Sequence, residues 1–380
     1  MGLAASPVRE ASPTAFQRIW LPGFLLQSVV IGGGYATGRE LVEFFLYSGP
    51  AGGLLGMLVA TVLFSIASAL SFELARLSRS YNYRNFFRQL LGRGWFTFEI
   101  AYFALGLLVL AVVGAAAGEL VQEHLDLPKS AGTILLMAAI AFLVFRGSSL
   151  IEKVLAGWSF LLYATYAVLV ACYLWRFGGE LLHNLTGQPV RDGWFGKGVA
   201  YFGYNAATIP IILFCVRHMQ SRRDAFTAGA LAGPLVMTPA LLFYLAMAAS
   251  YPGILDSPVP SNFLTQQLGY LWLNAVFYIV LFGTFVETGT AIIHAINERI
   301  AATLQEKGHN MPAARRLAVA VVALLIAVVL ADRIGLIDLI AKGYGTLTWL
   351  FLAIFILPLC TVGAWKILNS NKRGAAAGSP

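Results

Sequence analysis

Ile31-Gly32-Gly33-Gly34-Tyr35-Ala36-Thr37-Gly38 is the stretch on which the reading of this sequence turns. It stands inside an apolar segment running from about 16 to 47, and it puts four glycines within seven positions. Each glycine costs about 1 kcal/mol against alanine in a helix interior. Close packing of helices through small residues usually spaces them by four, as in GxxxG. Three consecutive glycines with a fourth nearby suit an unwound segment instead. At membrane depth such backbone persists only where protein or a water-filled cavity satisfies it.

Working outward, the chain of 380 residues is 58% hydrophobic and only 12% charged. Soluble domains carry about 25% charged residues, so most of this chain has hydrocarbon as its solvent. A span needs roughly 20 apolar residues. Ten such segments can be read, at about 16–47, 52–78, 95–122, 131–147, 150–176, 198–218, 225–250, 268–301, 315–331 and 336–367, which leaves no room for a soluble domain. The expected organisation is a tail over 1–15, a transmembrane domain over 16–367 and a second tail over 368–380. The polar first residues precede no short hydrophobic segment with a cleavage site, so a cleaved signal peptide is not expected.

The net charge of +8 does not point to nucleic acid, because the basic residues are scattered between spans. The tails and even-numbered loops hold 19 of the 26 Lys and Arg, and the odd-numbered loops hold 7. Cytoplasmic loops carry the excess, so both termini are expected in the cytoplasm. Cys172, Cys215 and Cys360 lie in apolar runs and form neither a disulfide frame nor a metal spacing. HExxH, GxSxG and P-loop motifs are absent, which argues against an enzyme or an ATP-driven pump.

Two halves of the sequence resemble each other. Leu150-Ile151-Glu152-Lys153-Val154-Leu155-Ala156-Gly157-Trp158 matches Leu336-Ile337-Asp338-Leu339-Ile340-Ala341-Lys342-Gly343-Tyr344, each opening a span after a short turn. The glycine-rich first and second spans have counterparts in a sixth, with Tyr201, Tyr204, Asn205, Thr208 and Pro210, and a seventh, with Gly229, Gly233 and Pro234. Five spans per copy (about 16–176 and 198–367) is an odd number, so the second copy is inverted. Inverted repeats with interrupted helices in matching positions point to a transporter's central site. Pro210 lacks an amide hydrogen and clashes with the preceding turn, so the sixth span is expected to be interrupted at Tyr204–Pro210. A plain proline kink is the competing reading. Half-helix N-termini favour an anionic group and exposed carbonyls favour a cation, a combination suited to a zwitterion.

The run Leu21-Pro22-Gly23-Phe24, Gln27 to Tyr35 and Thr37-Gly38-Arg39-Glu40 resembles the YkvI-like bacterial membrane proteins. These are similar to the amino acid–polyamine–organocation superfamily, with the LeuT fold of five plus five inverted helices. The resemblance implies an all-α transporter with helices 1 and 6 broken, in the bacterial inner membrane, moving an amino acid or related solute by alternating access. Substrate would sit at Gly32, Gly33, Gly34 and Tyr35 in the first span and Tyr204, Asn205 and Thr208 in the sixth. An arginine beyond the first break pairs, in LeuT-like transporters, with an aspartate on the tenth span. Arg39 and Asp338 occupy those places and form the expected outer gate, with Glu40 and Lys342 as competing partners.

Ionisable residues within spans are functional candidates. Thr284, Glu287, Thr288 and Ala291 share one helical face, which His294 can extend. The LeuT fold often holds sodium between the first-span break and hydroxyls of the eighth span. Here that implies Ile31, Glu287 and Thr288, with Thr284 close by. The usual adjacent pair of hydroxyl residues is replaced by Glu287-Thr288, and desolvation favours a neutral carboxyl. Proton coupling at Glu287 is therefore as open as sodium coupling, and Lys153 is a rival group. Tyr102 and Trp158 read as packing or interfacial aromatics, and 178–197 as an outer lid or a surface segment. A ligand sensor without transport, as in spore-germinant receptors of this fold, is the other functional class. The sequence leaves substrate, direction and oligomeric state open.

Overall fold

The computed structural model describes residues 13–146, 148–306 and 308–369, with only the helical backbone for 146, 148–157 and 159. Among these residues there is no strand. In a medium without water, every backbone polar group must be satisfied inside the protein, and helices do this within one segment. Among the described residues, eight helices are long and apolar enough to cross a bilayer.

The first apolar segment is not one helix. After a π turn at Phe16–Trp20, α1 (Leu21–Val30) ends where Ile31 (φ −82°, ψ 94°) and Gly32 (φ −124°, ψ −169°) are extended. A single turn, α2 (Gly33–Ala36), is followed by Gly38 at φ +78°, a left-handed conformation that favours glycine. Then α3 (Arg39–Phe44) completes the segment. Two carbonyls exposed at the second interruption find partners elsewhere in the chain. The Tyr166 hydroxyl donates to Ala36 O, and the Ser261 amide donates to Thr37 O at 2.9 Å.

The remaining long elements are α4 (Pro50–Ser78), α5 (Tyr83–Leu91), α6 (Phe96–Leu125), α7 (Lys129–Arg146) and α8 (Ser148–Gly187). Then follow α9 (Trp194–Asn205), α10 (Arg222–Ala249), α11 (Pro260–Leu268), α12 (Leu271–Glu306), α13 (Ala313–Ile334) and α14 (Leu336–Asn369). Packing joins the elements that the repeat relates: α4 lies along α10, α6 along α12, and α7 along α13. Small residues permit the closest crossing. A Cβ at Gly229 would run into the backbone of Ala69, and one at Gly233 into Thr61 O and Ser65.

Three local expectations are corrected. The sixth segment does not unwind at Tyr204–Pro210. α9 passes at Asn205 into a 3-10 helix, Ala206–His218, without leaving helical dihedrals. Pro210 removes one amide donor, and two side chains add hydrogen bonds to carbonyls of the preceding turns. Asn205 Nδ2 donates to Tyr201 O at 3.0 Å, and Thr208 Oγ1 donates to Asn205 O at 2.6 Å. Next, the segment from 178 continues α8 to Gly187 beyond a kink at Phe177. Asn184 anchors it by donating to the carbonyls of Ala248, Ala249 and Tyr251 at 3.1–3.3 Å. Finally, short helices fill two connections read as loops. α5 is capped by Asn82, whose side chain accepts from the Asn85 amide at 2.8 Å, and α11 leads into α12.

Ion pairs mark the two ends of the bundle. The face nearer the N-terminus carries Arg18–Asp224, Arg84–Glu306 and Arg299–Glu99. The opposite face carries Glu119–Lys129 and Glu43–Lys197.

Candidate functional site

The interruption at Ile31–Gly32 opens onto a cavity of about 390 Å³. Its wall includes Ile31, Gly32, Gly33, Gly34 and Tyr35 from the first segment, Tyr204, Asn205 and Thr208 from the sixth, and Thr284, Glu287, Thr288 and Ala291 from α12. Residues separated by more than 250 positions thus meet at one place. Glycine is required there by space. A Cβ on Gly33 would come within 2.7 Å of Val113, and one on Gly34 would collide with a Glu40 carboxylate oxygen.

The break is tied to the eighth apolar segment by one hydrogen bond. The Gly33 amide, freed from helical pairing at the start of α2, donates to Thr288 Oγ1 at 2.8 Å. One turn earlier on α12, Thr284 Oγ1 donates to Val280 O and accepts from Trp158 Nε1 at 3.2 Å. Trp158 therefore does more than fill space: it closes over Gly283 and engages the Thr284 hydroxyl. The cavity face of α12 continues through Ala291, Ile292, Ala295 and Ile296. His294 is exposed and lies off this face, because the stripe follows the i+7 position from Thr288 rather than from Glu287.

Sequence reasoning passed over Glu40, Tyr344, Tyr102 and Tyr163 as site residues, and all four line the cavity. Glu40 is 5% exposed and accepts the Tyr204 hydroxyl. The Tyr204 ring stacks on Tyr344, with centroids 4.4 Å apart and planes 7° from parallel. Tyr344 reaches this position through a π turn at Leu339–Tyr344, a distortion often found at functional sites. The sequence held one clue to it, since the repeat sets Tyr344 opposite Trp158. The hydroxyl of Tyr35 is buried and has no hydrogen-bond partner among the described residues.

Glu40, Tyr35, Tyr204 and Tyr344 form one end of the cavity. From there the lining extends toward the face that carries the N-terminus, through Ser28 and Val29 on α1, Tyr102 and Leu105 on α6, Ile211, and Ile296. At that mouth the Arg299 guanidinium lies between the rings of Tyr83 and Tyr102, 4.1 and 3.9 Å from their centroids. The Lys153 side chain lies outside the described residues.

Arg39 and Asp338 do not pair, which corrects the expected gate. Arg39 is fully buried and donates to Leu255 O at 2.6 Å, Ser257 O at 3.1 Å and the Tyr47 hydroxyl at 2.9 Å. Its carboxylate partner is Glu43, at 3.4 Å one turn along α3, and Glu43 also binds Lys197 at 2.9 Å. Asp338 is exposed and pairs with Lys342 at 2.9 Å. The turn after α10 supplies the acceptors that the gate hypothesis sought on the last span.

With this geometry in hand, the chain can be set beside known proteins. No protein-family profile matches it. It is 25% identical over 344 residues to the uncharacterized membrane protein YkvI of Bacillus subtilis, covering 89% of this chain and 94% of that protein. In structure it is similar to MhsT in complex with L-phenylalanine (TM-score 0.51, 16% identity, covering 95% of this chain and 98% of that one). It is similar also to Mhp1 in an inward-facing conformation (TM-score 0.52, 15% identity, 94% and 78%) and to a manganese transporter of Eremococcus coleocola (0.50, 15%, 93% and 81%). The chain is an all-α membrane protein of the LeuT fold that resembles YkvI along nearly its whole length.

Proposed function

We propose that this chain is a secondary active transporter that moves a small solute, an amino acid or a related zwitterion, by alternating access coupled to Na+ or H+. The observation that carries this reading is the cavity at the first-segment break, where non-helical backbone, the 3-10 switch after Asn205 and the Glu287–Thr288 face of α12 converge. Irregular backbone at this depth is retained where it serves a ligand. The cavity lining runs from Tyr35 and Glu40 to Ser28, Tyr102 and Ile296, toward the end of the bundle that carries the N-terminus.

We read ten crossings: the eight long helices, the interrupted segment from Phe16 to Ser48, and α7. They are arranged as five plus five inverted segments in a bacterial inner membrane. With the 19 basic residues on the cytoplasmic side, the cavity mouth is cytoplasmic and the state is inward-open. The buried Arg39 cluster then closes the outer side. Similarity to a manganese transporter and to a protein holding L-phenylalanine supports transport of a small solute, which Gly32–Tyr35 and Tyr204–Thr208 would contact. Sodium would have Ile31 and Thr288 as oxygen ligands, whereas Glu287 offers a proton site; the Thr284 hydroxyl is already engaged by Trp158.

The test is uptake of radiolabelled amino acids by purified protein in liposomes under imposed Na+ or H+ gradients. Saturable uptake driven by one gradient, with that dependence lost in Glu287→Gln, is the expected result. Binding without flux under either gradient overturns transport in favour of sensing.

A further inference from the structure

Glu40 stands at the closed end of the cavity. One of its carboxylate oxygens accepts the Tyr204 hydroxyl, and the other, Oε1, lies against Gly34 so closely that a methyl group there would collide with it. Among the described residues Tyr204 is its hydrogen-bond donor, and no Arg, Lys or His pairs with it. The adjacent Arg39 is engaged by Leu255 O, Ser257 O, Tyr47 and Glu43. The other titratable groups around Glu40 are Tyr35 on α2, Tyr201 and Tyr204 on α9, and Tyr344 on α14. Glu287, Tyr102 and Tyr163 stand farther along the same wall.

A carboxylate buried with one hydrogen bond and no cation is costly as an anion. The same end of the cavity has a buried Tyr35 hydroxyl without a partner, beside the parallel rings of Tyr204 and Tyr344. Aromatic faces attract cations. A carboxyl group, an unpartnered hydroxyl and ring faces together are complementary to an ammonium group.

Building on the transporter reading above, we propose that Glu40 recognises the substrate's ammonium group and exchanges a proton for it. The carboxyl is neutral in the empty cavity. When R–NH3+ arrives, the carboxyl O–H bond ionises, the proton leaves through the open mouth, and carboxylate and ammonium pair against the tyrosine rings. No bond of the solute changes. With a simple ammonium the charge of the cavity is the same before and after; with a zwitterion it becomes one unit more negative, the solute's own carboxylate lying toward the open mouth. Because one side chain holds either the proton or the ammonium group, each solute that binds moves one proton the other way.

Infrared difference spectroscopy on the purified chain reads the first half of this proposal without requiring the natural substrate. A protonated-carboxyl band present at neutral pH in the wild type and missing from Glu40→Gln is expected. Glu40→Gln keeps the acceptor for Tyr204, and Glu287→Gln separates the other cavity carboxyl. The second half uses three small probes: ethylammonium, L-alanine and propionate. The first two should remove the Glu40 band and release about one proton per bound molecule in weakly buffered solution, and propionate should do neither. A spectrum unchanged by Glu40→Gln overturns the proposal, as does proton release that survives this substitution or that no ammonium probe elicits. Labelled alanine flux into liposomes, run in parallel, tests the transporter reading separately. Proton release without flux leaves Glu40's role standing and sinks transport, whereas flux independent of Glu40 and of pH does the reverse.

Discussion

Replacing Arg39 by alanine removes a fully buried guanidinium from four oxygen partners: Leu255 O, Ser257 O, the Tyr47 hydroxyl and Glu43. Hydrogen bonds from a charged donor contribute about 1.5–3 kcal/mol each, and they do not add fully. Removing one member of a buried pair costs about 3–5 kcal/mol when the other charge is stranded. Glu43 is not wholly stranded, because Lys197 remains 2.9 Å away. Leu255 O keeps a longer hydrogen bond from the Tyr47 hydroxyl at 3.3 Å, whereas Ser257 O loses its guanidinium donor in a part-buried site. Together these place the destabilisation of Arg39→Ala at about 3–5 kcal/mol. Arg39→Lys should fall between, since an ammonium lacks the planar fork that reaches two carbonyls at once. Asp338→Ala is the control. An exposed i, i+4 pair is worth about 0.3–0.5 kcal/mol, so that variant should be nearly as stable as the parent. Reversible SDS titration in mixed micelles, followed by tryptophan fluorescence, gives the three values. Hydrogen exchange over 250–262 should accelerate in Arg39→Ala alone. A loss below about 1 kcal/mol for Arg39→Ala, or an equal loss for Asp338→Ala, refutes the reasoning.

Four further outcomes follow from contacts in the cavity and elsewhere in the bundle. Thr288→Val strands the Gly33 amide at a cost of about 1–3 kcal/mol and should abolish the thermal shift given by a bound amino acid, whereas Thr288→Ser should keep it. Gly229→Leu drives a side chain into the Ala69 backbone and should lose well over the roughly 1–3 kcal/mol typical of overpacking, read as loss of monodisperse protein on size exclusion. Gly178→Ala meets nothing within 4 Å and should be neutral or gain up to about 1 kcal/mol. Ala295→Cys should react with a membrane-impermeant maleimide only from the side bearing the N-terminus; labelling from the opposite side in the absence of ligand would contradict the orientation.

Hydropathy and the positions of glycine and proline are local properties, and what depended on them was legible from the sequence. Eight of the apolar segments coincide with helices long and apolar enough to cross a bilayer, because a run of some twenty uncharged residues is a local signal, although the helix read as ending at 176 runs on to Gly187. Gly32–Gly34 betrayed the break because glycines weaken a helix, although only Ile31 and Gly32 are extended and Gly33 and Gly34 open the next helical turn. The face formed by Thr284, Glu287, Thr288 and Ala291 followed from the helical period alone, and it lines the cavity.

What escaped the sequence depends on groups far apart along the chain. Arg39 was assigned a carboxylate on the last span because charge complementarity is readable in a sequence, while the carbonyl oxygens of Leu255 and Ser257 that hold it are carried by every residue and marked by none. Pro210 announced a disturbed helix, but only the Asn205 and Thr208 hydrogen bonds made the result a change of helix type rather than a gap. Glu40 looked like one more charge beside Arg39 until folding set Tyr204, 164 positions away, against it. Sequence alone therefore determined the solvent of this protein, the elements that cross it and where the first of them breaks, since each is decided by a residue and its near neighbours. Tertiary structure decided which buried polar groups face one another and which, like the Tyr35 hydroxyl, are left without a partner among the described residues, because that is set by three-dimensional proximity between residues far apart in the chain.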